Sequence, residues 1–193
     1  MKMYLLMALV LFAGIADAEW VIDNSKSNLF FISVKNNSKG EVHTFKTLKG
    51  KLGEDGSASL TIDLTSVETQ VAIRNDRLQK FLFEVAKFPE AIISLNVDPQ
   101  KVKALLPGEM TKLSVLANLN LHDSKEPIKT ELVVTAMNDG SLIVSTLQPL
   151  LLSAENFKLV AGIDKLKALV KLDMIDKVIP VTFNLLFSKE PEK

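Results

Sequence analysis

Leu113-Ser114-Val115-Leu116-Ala117-Asn118-Leu119-Asn120-Leu121 alternates apolar and mostly polar residues with a period of two. Successive side chains of a strand point to opposite faces, so this stretch predicts a strand whose apolar face carries Leu113, Val115, Ala117, Leu119 and Leu121. The same alternation runs through Ala58, Leu60, Ile62 and Leu64, through Ile128, Leu132, Val134 and Ala136, and through Ile179, Val181, Phe183, Leu185 and Phe187. Asp55-Gly56, Pro107-Gly108 and Asn138-Asp139-Gly140 punctuate these runs as turn signals. About eight strands result, near residues 29–35, 42–52, 58–64, 91–97, 113–121, 128–137, 142–152 and 178–187. Short connections make neighbours antiparallel. Eight such strands close into a barrel or stack as a sandwich; the barrel removes exposed edges and can hold a small ligand.

Two segments have a helical period instead. Within Arg74–Phe88, the residues Leu78, Phe81, Leu82 and Val85 form a stripe that Pro89 stops, with Asn75 as the expected N-cap. Within Ile163–Leu172 the stripe is Ile163, Leu166, Leu169 and Val170, with Lys165, Lys167 and Lys171 mostly off it. Such stripes normally face a core, so both helices are expected to cover the ends of a sheet, or one of them to gate the mouth of a cavity.

The beginning of the chain sets the compartment. Met3 to Ala16 is an almost unbroken apolar run after Lys2, and it ends in the small-x-small pattern Ala16-Asp17-Ala18. Residues 1–18 therefore read as a secretory signal peptide cut before Glu19, with 19–193 as one domain. The run is shorter than the roughly 20 residues that span a bilayer. No stable membrane insertion is expected after cleavage. Lys plus Arg and Asp plus Glu each number 23, and the charges alternate without a basic block. That pattern argues against nucleic acid as a partner. The absence of cysteine excludes disulfides, thiol catalysis and cysteine-based zinc sites.

Motifs for chemistry are scarce. His43 and His122 lie far apart without ligands at metal spacing, and Asp123 beside His122 would point to the opposite face of a strand. No Gly-x-Ser-x-Gly turn occurs, and Gly50-Lys51-Leu52-Gly53 lacks the rest of a phosphate loop. Asp63, Glu68 and Glu84 are explained by surface solvation. Arg74-Asn75-Asp76-Arg77 is the densest polar cluster, either a solvated helix start or a head-group clamp. Leu29-Phe30-Phe31-Ile32 is apolar on both faces. No metal, cofactor or catalytic residue is expected.

A set of segments in order resembles the YceI-like family. They are Trp20-Val21-Ile22-Asp23 with Ser27, Leu29 and Phe31; Ser66-Val67-Glu68-Thr69; Ile73-Arg74-Asn75-Asp76-Arg77-Leu78; Leu82-Phe83-Glu84; and Lys87-Phe88-Pro89. Ala154-Glu155-Asn156-Phe157-Lys158-Leu159 and Val178-Ile179-Pro180-Val181-Thr182-Phe183 complete it. The chain departs from the family pattern at Lys26, where many members have His. It departs again at Leu121-His122-Asp123, where they have a small-Gly motif, and at Lys158, where they have Gly; these mark a divergent branch. The resemblance implies an all-β fold, an eight-stranded antiparallel lipocalin-like barrel with one or two short packed helices. It implies a periplasmic protein that holds a polyisoprenoid, isoprenoid quinone or similar long amphiphile for transport or storage, without catalysis. A homodimer is compatible with it.

On that reading the inward parity names the expected lipid-lining residues: Leu29, Phe31, Leu60, Ile62, Ile93, Leu95, Val115, Leu119, Leu132, Val134, Phe183 and Leu185. Phe81 and Phe157 would close the ends, and Arg77 would meet a polar head. The competing expectations are a non-catalytic, stress-related interaction module with a filled core, and a hydrolase or isomerase of amphiphiles.

Overall fold

The computed structural model describes residues 20–36 and 38–189. The expected signal segment, Met1–Ala18, lies outside them. The chain begins with β1 (Trp20–Ile22), β2 (Asn28–Lys35), β3 (Lys39–Phe45), β4 (Leu48–Leu52), β5 (Ser57–Asp63) and β6 (Val67–Glu68). Helix α1 (Ala72–Arg77) follows and runs into a π turn at Leu78–Leu82. Then come β7 (Glu90–Asn96), α2 (Pro99–Lys103), β8 (Met110–Leu121), β9 (Ser124–Ala136), β10 (Leu142–Thr146) and β11 (Leu150–Ser153). Helix α3 (Val160–Leu169) and β12 (Val178–Lys189) end the described chain.

These segments form eight antiparallel strands closed into a barrel. β1 and β2 are one strand interrupted by the turn at Asn24–Lys26, β3 and β4 another, and β10 and β11 a third. The ring closes where Trp20 pairs with Lys189 and Ile22 with Phe187. The alternation in β8 survives intact: Leu113, Val115, Ala117, Leu119 and Leu121 are buried, while Leu116 on the other face is 63% exposed.

Two expected strands are broken, for physical reasons. The one at 42–52 kinks at Lys46-Thr47, where the Asn24 side chain accepts from the Leu48 N–H (2.6 Å) and donates to the Lys46 carbonyl (2.9 Å). Ser66 takes the Lys46 N–H on its carbonyl (3.1 Å) and the Thr47 N–H on its hydroxyl (3.0 Å). Above the kink β3 pairs with β6; below it β4 pairs with β5. The strand at 142–152 breaks before Pro149, which has no N–H for a ladder. Short α2 had no periodic signal; Asp98 caps it by accepting from the Gln100 N–H (3.0 Å), with Pro99 in its first turn.

The first helix starts at Ala72, and Asn75 is not its N-cap. Its side-chain oxygen instead accepts from the Thr69 N–H (2.9 Å) and hydroxyl (2.6 Å), fixing the loop that enters the helix. The π turn, closed by the Phe83 N–H on the Leu78 carbonyl (2.9 Å), adds one residue to the turn and rotates the stripe. Leu78 and Phe83 are buried, whereas Phe81 sits beside the ammonium groups of Lys80 and Lys165, 5.3 and 5.9 Å from its ring centre. Helix α3 begins three residues earlier than expected and packs on this turn at Gly162. A Cβ there would come within 2.5 Å of the Phe81 carbonyl oxygen and 2.9 Å of the Leu82 Cα.

His122 and Asp123 are not strand neighbours. They are the two central residues of the turn between β8 and β9, with φ of 51° and 54° and Leu121 paired to Ser124. This is a type I′ turn, which favours glycine or asparagine. Lys158, also at positive φ (56°), reaches across to donate to the Asp123 carbonyl (3.0 Å). Both departures from the family pattern at glycine positions thus fall where the backbone is left-handed. Asp123→Gly is expected to raise stability by about 1 kcal/mol, since it relieves that strain and keeps the backbone carbonyl that Lys158 needs. Urea unfolding of the two proteins measures it.

Candidate functional site

The barrel is filled at one end and hollow at the other. At the filled end Trp20, Leu52, Leu113, Leu142 and Phe187 pack together, with Val102 of α2 also in the core. The indole N–H of Trp20 donates to the Gly140 carbonyl (3.2 Å). At the other end lies a cavity of about 410 Å³. Its walls come from β2, β3, the ends of β5 and β8, the starts of β7, β9 and β12, and β11, with α1, the π turn and α3 across it.

Of the residues expected from the sequence, Leu29, Phe31, Ile62, Arg77, Ile93, Leu119, Phe157 and Phe183 line this cavity. Leu60, Leu95, Val115, Leu132, Val134 and Leu185 do not; they face inward but belong to or pack against the core beyond the cavity. Parity selects the correct face along a whole strand, but it carries no information about which half of the barrel is packed solid. Phe81 is also off the cavity, displaced by the π turn, and Phe83 takes the inward position. Phe31, Phe45 and Phe83 form a ring chain across the wall, with centres 5.3 and 5.7 Å apart.

The residues that sequence reasoning missed include apolar ones outside the strands, such as Leu64, Leu78 and Phe83, and a polar set on β2 and β3. Along β2 the inward positions run Leu29, Phe31, Ser33, Lys35; along β3 they run Phe45, His43, Glu41. The outward positions Phe30, Ile32, Val34 and Val42 are apolar, and Val42 is 61% exposed. The two strands invert their polarity towards their shared hairpin, so the apolar parity there is the wrong one to follow. That inversion, an exposed Val42 between Glu41 and His43, was the available signal.

The inverted segment builds a charged cluster on the cavity wall. Lys35 Nζ and Arg74 Nη1 both donate to Glu41 Oε2, at 2.8 and 2.6 Å. Arg74 Nη2 also donates to the Thr69 carbonyl (2.6 Å). Burial alone would raise the Glu41 carboxyl; the hydrogen bonds from Lys35 and Arg74 outweigh it and hold the group below its ordinary value. His43, only 4% exposed, shares a 2.8 Å hydrogen bond between its Nε2 and the Ser33 hydroxyl. Burial, with repulsion from Arg74, pushes its imidazole down to about 4. His43 is therefore neutral near pH 7. Asp176 completes this wall; its N–H donates to the Val34 carbonyl (2.9 Å) and seats the segment after α3 on the β2–β3 hairpin.

The second histidine belongs elsewhere. His122 Nε2 lies 3.1 Å from Glu84 Oε2 and its ring packs on Phe88 at 4.5 Å, off the cavity. Among the described residues no three His, Asp or Glu side chains converge as metal ligands, and no helix is long and apolar enough to cross a membrane.

The fold and the site define a class: lipocalin-like β-barrels with one solid end and one hollow, apolar end roofed by helices. A family model for the YceI-like domain matches residues 20–187, and the chain belongs to that family. It is similar to a polyisoprenoid binding domain from Saccharophagus degradans implicated in plant cell wall breakdown. That domain shares 35% identity and a TM-score of 0.87 over 89% of this chain and 98% of its own length. Two further solved structures share the fold. BcnA of Burkholderia cenocepacia has 19% identity and a TM-score of 0.67 over 86% of this chain and 98% of its own. A YceI protein of Campylobacter jejuni has 16% identity and a TM-score of 0.54 over 78% and 85%. None of the curated proteins matches the sequence.

His43 also gives the fold a pH signature. The folded imidazole takes its proton only near pH 4, whereas the unfolded chain takes it near 6.5. Between those values the unfolded state binds more protons, so this group withdraws stability as pH falls from about 6.5 to about 4 and is silent above and below. His43→Gln is expected to flatten that part of the profile. The measurement is unfolding free energy of both proteins from pH 4 to 7.5, read as their difference so that the carboxylates cancel.

Proposed function

We propose that the hollow end of the barrel binds the apolar chain of a long amphiphile, a polyisoprenoid, isoprenoid quinone or similar lipid, and shields it from water. The observation that carries this is the division of one inward face into a packed core and an apolar cavity of about 410 Å³. A packing fault of that size would be costly to maintain, because cavities in cores destabilise by about 24 cal/mol per Å³. Each methylene buried in it contributes about 0.8 kcal/mol before ordering costs. The similarity to the Saccharophagus degradans polyisoprenoid binding domain supports the same reading.

The compartment belongs to the proposal as well. Cleavage of Met1–Ala18 would release the barrel into the periplasm, where a water-soluble carrier could store a lipid or move it between two membranes. The filled-core interaction module describes only the Trp20 end. A hydrolase would need a base, and the Ser33–His43 pair is the sole hydroxyl–imidazole contact among the described residues. Its Nδ1 has no partner to orient it, and an imidazole pushed down to about 4 is a weak base near neutrality. Binding without chemistry is the better-supported reading.

Two tryptophan substitutions separate cavity from core. Leu119 lines the cavity opposite Ile93 in register, so Leu119→Trp is expected to abolish lipid uptake with little loss of stability. Leu132 lies in the solid end, so Leu132→Trp is expected to cost about 1–3 kcal/mol and leave lipid content unchanged. Organic extraction and mass spectrometry of protein from native expression, followed by reconstitution with isoprenoids, reads both. A native protein that yields no lipid and binds none on addition would overturn the proposal.

A further inference from the structure

Resting on that reading, we propose that the polar wall beside His43 is a head-group site selective for an anionic oxygen head, a carboxylate or phosphate ester, on the isoprenoid chain. Besides the Asp176 carboxylate, three nitrogen groups on this wall have no partner among the described residues. Arg77 lines the cavity with no hydrogen bond or ion pair among the described residues. Arg74 Nε is buried and unpaired, although both terminal nitrogens of the same guanidinium are engaged. His43 Nδ1 is buried and unpaired on a ring whose other nitrogen is held by Ser33. Buried polar groups are nearly always hydrogen-bonded, so these are matched in the working state by water or ligand.

The charges decide which ligand. Lys35, Arg74 and Arg77 face Glu41 and Asp176 on the cavity wall, three cations against two carboxylates. Glu41 is already committed to Lys35 and Arg74 through one oxygen. The Asp176 carboxylate, like Arg77, has no hydrogen bond or ion pair among the described residues, so the wall keeps one net positive charge and Arg77 is its one unpaired cation. A neutral alcohol or quinone oxygen would satisfy a hydrogen bond there and leave the charge uncompensated. One anionic head supplies both, and Arg74 and Arg77, three residues apart on α1, present donors along one face of the helix.

The head is thereby placed at the mouth. Val71, Ile73 and Val170 line the same cavity and are 43, 56 and 45% exposed, so they mark its opening beside α1 and the end of α3. The chain then runs inward past Phe31 towards Ile93 and Leu119.

The test uses ligands of one chain length: geranylgeranyl monophosphate, geranylgeranoic acid and geranylgeraniol, with inorganic phosphate alone as the fourth arm. Titration calorimetry at pH 7.5 on delipidated protein is expected to show the acid and the phosphate binding about tenfold or more tighter than the alcohol. In Arg77→Gln the acid and the alcohol should bind alike, while Arg77→Lys should keep much of the preference. Inorganic phosphate should give no measurable heat, since the chain supplies the rest of the affinity. If the alcohol matches the acid in the unchanged protein, or Arg77→Gln keeps the preference, the head-group site is overturned while the cavity reading stands. If no chain ligand binds, both fall; if inorganic phosphate binds as well as the lipid phosphate, the site is a free-anion site and this proposal is wrong.

Discussion

The kink at Lys46-Thr47 controls the rest of the molecule. Of the stretch 39–52, only Leu48–Leu52 pairs with β5. At the kink the Asn24 carboxamide and Ser66 take over the backbone groups of Lys46, Thr47 and Leu48. Four polar backbone contacts are thus satisfied where the ladder fails, which is what makes a break in the wall affordable. Beyond the kink β3 turns to β6, the wall parts from β5, and the segment Thr69–Phe83 can cross the opening. Glu68 fastens that crossing: it pairs with Lys46 and accepts from Asn75 Nδ2 (3.2 Å), and the Lys46 contact first among these pulls its carboxyl down to about 2.

The same break explains why the two ends differ in character. Below it, each inward residue has a neighbour on both adjacent strands, and apolar side chains interdigitate into a solid core that includes Leu132, Val134 and Leu185. Above it, the inward face is lined but not filled, and its polarity inverts along Ser33, Lys35, Glu41 and His43. Charged groups are tolerated there because they are paired and only partly desolvated: Lys35, Glu41 and Arg74 side chains keep between 24 and 29% exposure. His43 is the exception. It is buried, and it escapes the cost of burying a charge by staying neutral.

Legibility in the sequence followed the same division. Period-two alternation marked β5, β8, β9 and β12, and apolar runs with turn signals supplied the rest of the ring except the short β1 and β6; buried residues alternate from Leu113 to Leu121 in β8 and from Leu132 to Ala136 in β9. The resemblance of Trp20-Val21-Ile22-Asp23 to a family opening strand pointed to β1, although three residues are too few for a pattern. What the alternation could not show was depth along the barrel. Leu119 and Leu132 have the same parity and the same chemistry, and only tertiary placement puts one on the cavity and the other in the core. Phe81 was misplaced for a different reason: a π turn has no signature in a 3.6-residue period, and one added residue moves the stripe to Phe83. The polar wall was hidden by the rule that selects apolar residues as inward.

The two ends carry different shares of the work. The solid end, closed by the Trp20–Lys189 and Ile22–Phe187 pairs, is packed through with apolar side chains and needs no further group to complete it. The hollow end is held by directional contacts: Lys35 and Arg74 on Glu41, Asp176 on Val34, Lys158 on the β8–β9 turn, and Gly162 of α3 against the π turn. Such contacts are individually worth little and can open without unfolding the core. On the proposed reading, a chain that fills the cavity would add apolar contacts there and stabilise this end of the barrel. Rigidity and access are thereby separated along one barrel axis, with the break at Lys46-Thr47 as the boundary between them.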